Sequence, residues 1–337
     1  MRDPCFAFIA IVLFVISMFS AANLIWLPSS TVNLDRVDFV DMAKVGALLL
    51  TSYASIRIVD RRLRFDNSRI ARAIRDACKR ARLLILGMTL FVPLLYVGTA
   101  FMYIASATQR QFIDSHLAVV DAILGFNWVH FLDAVNSAPL LSKALVYTYH
   151  SLSLQVPFVG LLLAAALRAQ QLFEFIALFA ISLFLSCLLM AGLPAEGAYA
   201  YFQPPAEAFS NFTERAGSWH LTHLNALRSG ESFQFSARIV EGLITFPSFH
   251  TVLGIIVVYA LRGFRLIAIS FLIVNVLMII GTMPEGGHHL VDVLAGIAVT
   301  IISIAVTRGV VRLYPQTRDW STVVDEASTN TAKLSNS

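Results

Sequence analysis

Apolar residues fall into eight long runs separated by shorter polar stretches: residues 5–27, 39–56, 83–105, 141–167, 172–193, 248–261, 266–283 and 289–306. Runs of about 20 residues suit helices across the hydrocarbon core of a bilayer, because a helix satisfies its own backbone where no water can. The pattern therefore predicts an all-α fold: a polytopic membrane helix bundle of about eight transmembrane helices. The second run carries Asp41 and Lys44 in its first turns, and the sixth is short unless it reaches back through Phe246. In the first run Asn23, Trp26 and Pro28 replace the small residues of a leader-cleavage site, so this segment is expected to stay in the membrane.

The chain is 57% hydrophobic and 14% charged, whereas an ordinary soluble domain is about a quarter charged. Lipid is thus the expected solvent for much of the surface. The net charge of +4 does not imply a nucleic-acid partner, since the basic residues cluster between apolar runs and not along a soluble, aromatic-interleaved face. Cys5 and Cys187 lie inside apolar runs and Cys78 in a basic stretch, so no disulfide framework is implied.

Charge instead orients the chain. Arg57, Arg61, Arg62, Arg64, Arg69, Arg72, Arg75, Lys79, Arg80 and Arg82 all fall between the second and third runs. A loop this basic is expected on the cytoplasmic side, together with both termini and the links at Arg168 and 262–265. The protein is then an integral membrane protein, expected in the plasma (inner) membrane. Two long segments, 106–140 and 194–247, face the other side; the first has apolar residues at helical spacing beside acidic ones and reads as amphipathic helices along the interface.

Two short motifs gather ionisable groups at the outer ends of the last three runs. The first, FPSFHT (246–251), opens the sixth run: proline suits a first turn and serine is a good cap, so Ser248 and His250 mark a helix start whose free N–H groups attract phosphate. The second, PEGGHHLVDVLAG (284–296), makes a tight glycine turn into the last run. His288 and Asp292 are four apart and share a helical face, so the carboxylate can hold one ring nitrogen and leave the other as a nucleophile. His289, three residues from Asp292, competes for that role, but its ring is expected about 100° further round the helix, toward a neighbouring span or lipid. His220 and His223 in WHLTHL read as an ordinary amphipathic face and not a metal site. No cofactor or metal is required.

FPSFHT resembles the second signature of the type-2 phosphatidic acid phosphatase superfamily, and GGHHLVD the end of its third. The likeness covers about residues 83–306. The LGFNW segment (124–128), the PSFHT form and GGHHLVDVLAG are most similar to the branch containing inositol phosphorylceramide synthases and their bacterial relatives. The superfamily's first signature, a lysine followed after six residues by Arg-Pro, is missing: AGLPAEGAYAYFQP (191–204) stands in its place, and Gly281 and Thr282 replace a Ser-Arg pair. Another cation must then meet the phosphate, and among Arg215, Arg228 and Arg238 the first choice is Arg228.

The resemblance implies residues 1–82 as two N-terminal membrane helices with a basic cytoplasmic loop, 83–306 as the catalytic membrane domain, and 307–337 as a polar cytoplasmic tail. It implies a metal-independent lipid phosphatase or phosphotransferase with His250, His288 and Asp292 as catalytic residues, Ser248 and Arg228 binding phosphate, and a phosphohistidine intermediate. The substrate is a lipid phosphate or phospholipid at the membrane, and the acceptor is water or a lipid or polyol hydroxyl. A transporter or lipid-binding scaffold would spread its charges through the bilayer depth, whereas here they gather at one surface.

Overall fold

The computed structural model describes residues 4–313; the polar tail expected from Ser321 lies outside them, as does most of 307–337. The chain is nearly all-α. Helices α1 (Pro4–Trp26), α2 (Arg36–Arg62), α3 (Arg69–Ser106), α4 (Asp114–Ile123), α5 (Trp128–Asn136) and α6 (Pro139–Ala165) make the first half. Helices α7 (Ala169–Gly192), α8 (Ala198–Phe202), α9 (Leu221–Arg228), α10 (Phe249–Ala260), α11 (Arg265–Gly281) and α12 (Leu290–Leu313) make the second.

Each apolar run is helical, but among the described residues five helices, α1, α2, α3, α7 and α12, are long and apolar enough to cross a membrane. Helix α6 matches α2 in length at 27 residues, yet Lys143, His150 and Gln155 interrupt it. Helices α10 and α11 are shorter, while α4 and α5 together are apolar enough for one more span, broken by a bend of 78°. Two three-residue strands, β1 (Val32–Leu34) and β2 (Phe233–Phe235), pair in parallel with Val32 opposite Phe233. The sequence pattern contained no strand; three residues are too few for an alternating signal.

The basic stretch is mostly helix, not loop. Ser68 caps α3 by accepting a hydrogen bond from the Ala71 amide, so the chain turns at 63–68 and Arg69–Arg82 become the first turns of a 38-residue helix. At 1.5 Å per residue α3 is roughly 57 Å long, well beyond a hydrocarbon core of about 30 Å. Arg82, buried, is paired with Asp60 of α2 at 2.8 Å.

Helix α7 is the hub, packed against α1, α3, α10 and α12. Outward-facing Phe14, Leu48, Leu50, Leu266, Ile273 and Ile301 leave apolar surface on several sides, as expected where lipid is the solvent. At one end the connecting segments form a second layer with its own small core, Trp128, Leu132, Ala198, Tyr199 and Ala216.

Candidate active site

The starts of α10 and α12 are joined by their caps. Ser248 Oγ accepts from the Thr251 amide at 3.4 Å and the Thr251 hydroxyl at 3.1 Å, while the Ser248 amide donates to Asp292 O at 3.0 Å. The next two amides, of Phe249 and His250, have no partner among the described residues, and both residues line a cavity of about 490 Å³. These are the unsatisfied donors of a helix N-terminus, carrying its positive dipole end.

The turn between α11 and α12 is held from outside at nearly every carbonyl. Tyr199 Oη donates to Pro284 O at 2.6 Å, and the Gly217 amide to Glu285 O at 2.7 Å. The Ala198 amide donates to Gly287 O at 2.7 Å, and Trp128 Nε1 to His288 O at 3.1 Å. Gly287 has φ of +73° and its α-carbon abuts the Gly217 backbone, so a side chain here would meet both strain and collision. Asp121 accepts from the Leu290 and Val291 amides at 3.1 and 2.9 Å, capping α12 from α4.

This turn delivers His288. Its ring Nδ1–H donates to Asp292 Oδ2 at 3.3 Å, and Asp292, wholly buried, also accepts the His289 amide at 2.8 Å. The His250 ring lies 6.2 Å from that of His288, centroid to centroid, and stacks on Tyr149 at 4.6 Å. Three of the residues singled out in the sequence thus converge: His250, His288 and Asp292, the histidines on the cavity wall and the carboxylate behind.

Two do not converge. Ser248 is a buried cap outside the cavity wall. Arg228 stacks on Phe112 at 4.0 Å and donates to Arg110 O, away from the wall. Of its alternatives, Arg238 is paired with Asp41 at 2.9 Å through Nε, and Arg215 covers Trp219, which does line the cavity, at 4.7 Å. Among the described residues no Arg or Lys lines the cavity.

His289 turns toward α4 and not toward lipid. It stands just ahead of α12 with its nitrogens 3.6 Å from Asp114 and 3.4 Å from Asp121. Burial disfavours its charge, but the two carboxylates outweigh that and lift its pKa to about 9. Asp114 also accepts the Glu196 and Gly197 amides at 2.9 and 2.8 Å. The Glu196 carboxyl is pushed up by burial and by neighbouring Asp114.

Other polar residues surround the centre. His220, read as an amphipathic-face residue, is buried in the cavity wall and donates from Nε2 to Glu196 O at 2.8 Å; burial first, then the neighbouring His288, hold it below its ordinary pKa. His223 instead bonds Tyr103 Oη at 2.7 Å. His150, on the wall, donates from Nε2 to the wholly buried Glu285 at 2.8 Å. Apolar side chains make much of the remaining wall, with Leu95 and Met102 of α3, Phe179 and Leu183 of α7 and Leu253 of α10, beside Thr99, Glu241 and Thr245.

Fold and site together define a helical integral membrane protein with a histidine and carboxylate centre lining a cavity at one end of its bundle. The family model described as the PAP2 superfamily matches residues 115–306, more than half of the chain, and the chain belongs to that superfamily. Phosphatase-type activity goes with that membership. No curated protein and no solved structure matches the chain.

Proposed function

We propose that the protein is a lipid phosphate phosphatase or phosphotransferase working through a phosphohistidine on His288 at the extracytoplasmic membrane surface. The observation that carries this is the oriented imidazole: Nδ1–H of His288 is committed to buried Asp292, which leaves Nε2 as the nucleophile on the cavity wall. A phosphate at the start of α10 meets the Phe249 and His250 amides, which supply part of the compensation that arginines do not. Nε2 attacks phosphorus as the bond to the leaving oxygen breaks, His250 protonates that oxygen, and Asp292 steadies the cationic ring. In the second half a water or an acceptor hydroxyl attacks the phosphohistidine and gives its proton to a base on the cavity wall.

The apolar wall from α3, α7 and α10 favours a lipid substrate, and about 490 Å³ falls within the range of small-molecule sites. Support for the sidedness comes from α3. Its basic turns end at Arg82, and Thr99 and Met102 line the cavity, roughly 25 Å further along the helix. If the basic end is cytoplasmic, the site is outside.

The test is trapping with a radiolabelled donor chosen from phosphatidic acid, an isoprenoid pyrophosphate, and phosphatidylinositol with ceramide. An acid-labile, base-stable phosphoenzyme should form in the wild type, vanish in His288→Ala, and persist at a lower rate in His289→Ala. A phosphoenzyme that survives in His288→Ala and disappears in His289→Ala would overturn the assignment.

A further inference from the structure

The cavity has a second histidine backed by a buried carboxylate, and the reaction so far leaves it idle. Glu285 is wholly buried in the turn beside His288. Its Oε1 accepts from His150 Nε2 at 2.8 Å and from the Thr213 hydroxyl at 2.5 Å, and its Oε2 accepts the Thr213 amide at 3.2 Å. Burying a carboxylate is costly unless its partners use it well. Here three donors converge on it, one being the ring N–H of a residue on the cavity wall. His150 keeps 46% of its side chain exposed, so the ring is fixed at one nitrogen and open at the other.

A ring that gives Nε2–H to a carboxylate presents Nδ1 as an acceptor. The arrangement repeats that of His288 and Asp292, with the roles of the two nitrogens exchanged. His150 also sits next to His250 through Tyr149, whose ring is 5.3 Å from the one and 4.6 Å from the other. Trp219 closes the other side, 6.4 Å from the His150 ring. A group on Nδ1 of His150 would share the cavity with a phosphate on His288 while leaving His250 to the departing oxygen.

We infer that His150, oriented by Glu285, is the acceptor-side base, and that the acceptor is the hydroxyl of an alcohol. This rests on the phosphohistidine reading and specifies its second half. Once the leaving group has gone with the proton of His250, an acceptor hydroxyl donates its hydrogen bond to His150 Nδ1. Its oxygen attacks phosphorus and forms the new P–O bond. The proton passes to Nδ1, and the P–N bond breaks with its electron pair returning to His288 Nε2. Imidazolium His150 is steadied by Glu285 and gives its extra proton to water at its exposed edge, while His250 regains one. Water can take the acceptor's place, but it lacks the carbon skeleton that Trp219 and the apolar wall would hold, so transfer should outcompete hydrolysis.

The experiment uses the full-length protein in detergent with radiolabelled phosphatidic acid as donor and glycerol as acceptor, and reads the ratio of glycerol phosphate to inorganic phosphate alongside the trapped phosphoenzyme. In His150→Gln the base is gone. In Glu285→Gln an amide N–H faces the ring, so the tautomer inverts and Nδ1 becomes a donor. Both variants should lower the ratio by about tenfold or more, the scale of one lost hydrogen bond to the acceptor plus the lost base, and the phosphoenzyme should accumulate. A ratio within about twofold of wild type in both variants would overturn the inference. So would loss of the phosphoenzyme in His150→Gln in a protein that still melts cooperatively, because His150 would then act in the first half. A wild type that labels but releases only inorganic phosphate overturns the inference and leaves the phosphohistidine standing. A wild type that never labels removes that reading and the inference with it.

Discussion

Asp292→Asn separates the charge of the site from its shape. Asparagine is isosteric, and its amide oxygen can still accept the His289 amide, which reaches Asp292 at 2.8 Å. What is lost is the negative charge 3.3 Å from His288 Nδ1, at the moment that ring becomes cationic by bonding to phosphorus. With an effective dielectric of about 20, two unit charges at that distance interact by about 5 kcal/mol, a ceiling for the effect. Removing a preorganised electrostatic partner elsewhere costs about 3 to 4 kcal/mol. Phosphoenzyme formation should therefore slow by roughly two to four orders of magnitude. The fold should be nearly indifferent, because no buried partner is left with an uncompensated charge; a change within about 1 kcal/mol is expected. Rapid-quench labelling gives the rate, and thermal unfolding in detergent gives the control. A labelling rate within tenfold of wild type in a stable protein would refute the claim that Asp292 activates His288.

Three further outcomes follow from the same geometry. His289 has its pKa raised to about 9 from an ordinary 6.5, so its contribution is full below about 6.5 and is lost as pH rises through 9. The melting temperature should fall between pH 6 and 10, by an equivalent of roughly 3 kcal/mol, and His289→Gln should be less stable at pH 7 and flatter across that range. Arg228→Ala should reduce stability by about 1 to 2 kcal/mol through lost packing on Phe112 while leaving kcat/KM within about threefold; a loss of about 2 to 4 kcal/mol in transition-state stabilisation would restore it to the phosphate. Because the native cysteines are buried, Glu231→Cys should react with an impermeant thiol reagent from outside intact cells and Asn67→Cys should not. The reverse pattern would put the site in the cytoplasm.

The cavity histidines His250 and His288 were legible because their information is local. A cap, a proline and a histidine within six residues announce the start of α10, and a four-residue spacing places His288 and Asp292 on one face before any tertiary contact exists. The helices were legible as well, since apolar runs leave few other solutions in lipid. Their ends were not: nothing in a run of arginines says whether it is a loop or the first turns of α3, because a solvated helix and a solvated loop ask the same of side chains. The single cap at Ser68 decides it.

Residues working through long-range pairing were invisible for a different reason. Asp114 and Asp121 look like the polar face of an amphipathic helix, and their spacing of seven supports that reading equally well. Only when α4 lies across the start of α12 do they become the two walls around His289. Arg228 shows the converse case. Filling a missing signature with the nearest available cation treats charge as the scarce quantity, whereas the structure uses that guanidinium against Phe112 and a backbone carbonyl and brings four imidazoles, His150, His220, His250 and His288, to the cavity instead. An imidazole can give or take a proton where an arginine can only hold a charge. A wall built from four of them, two backed by buried carboxylates, is suited to moving protons on and off two different oxygens, and that requirement arises when one alcohol leaves a phosphate and another arrives.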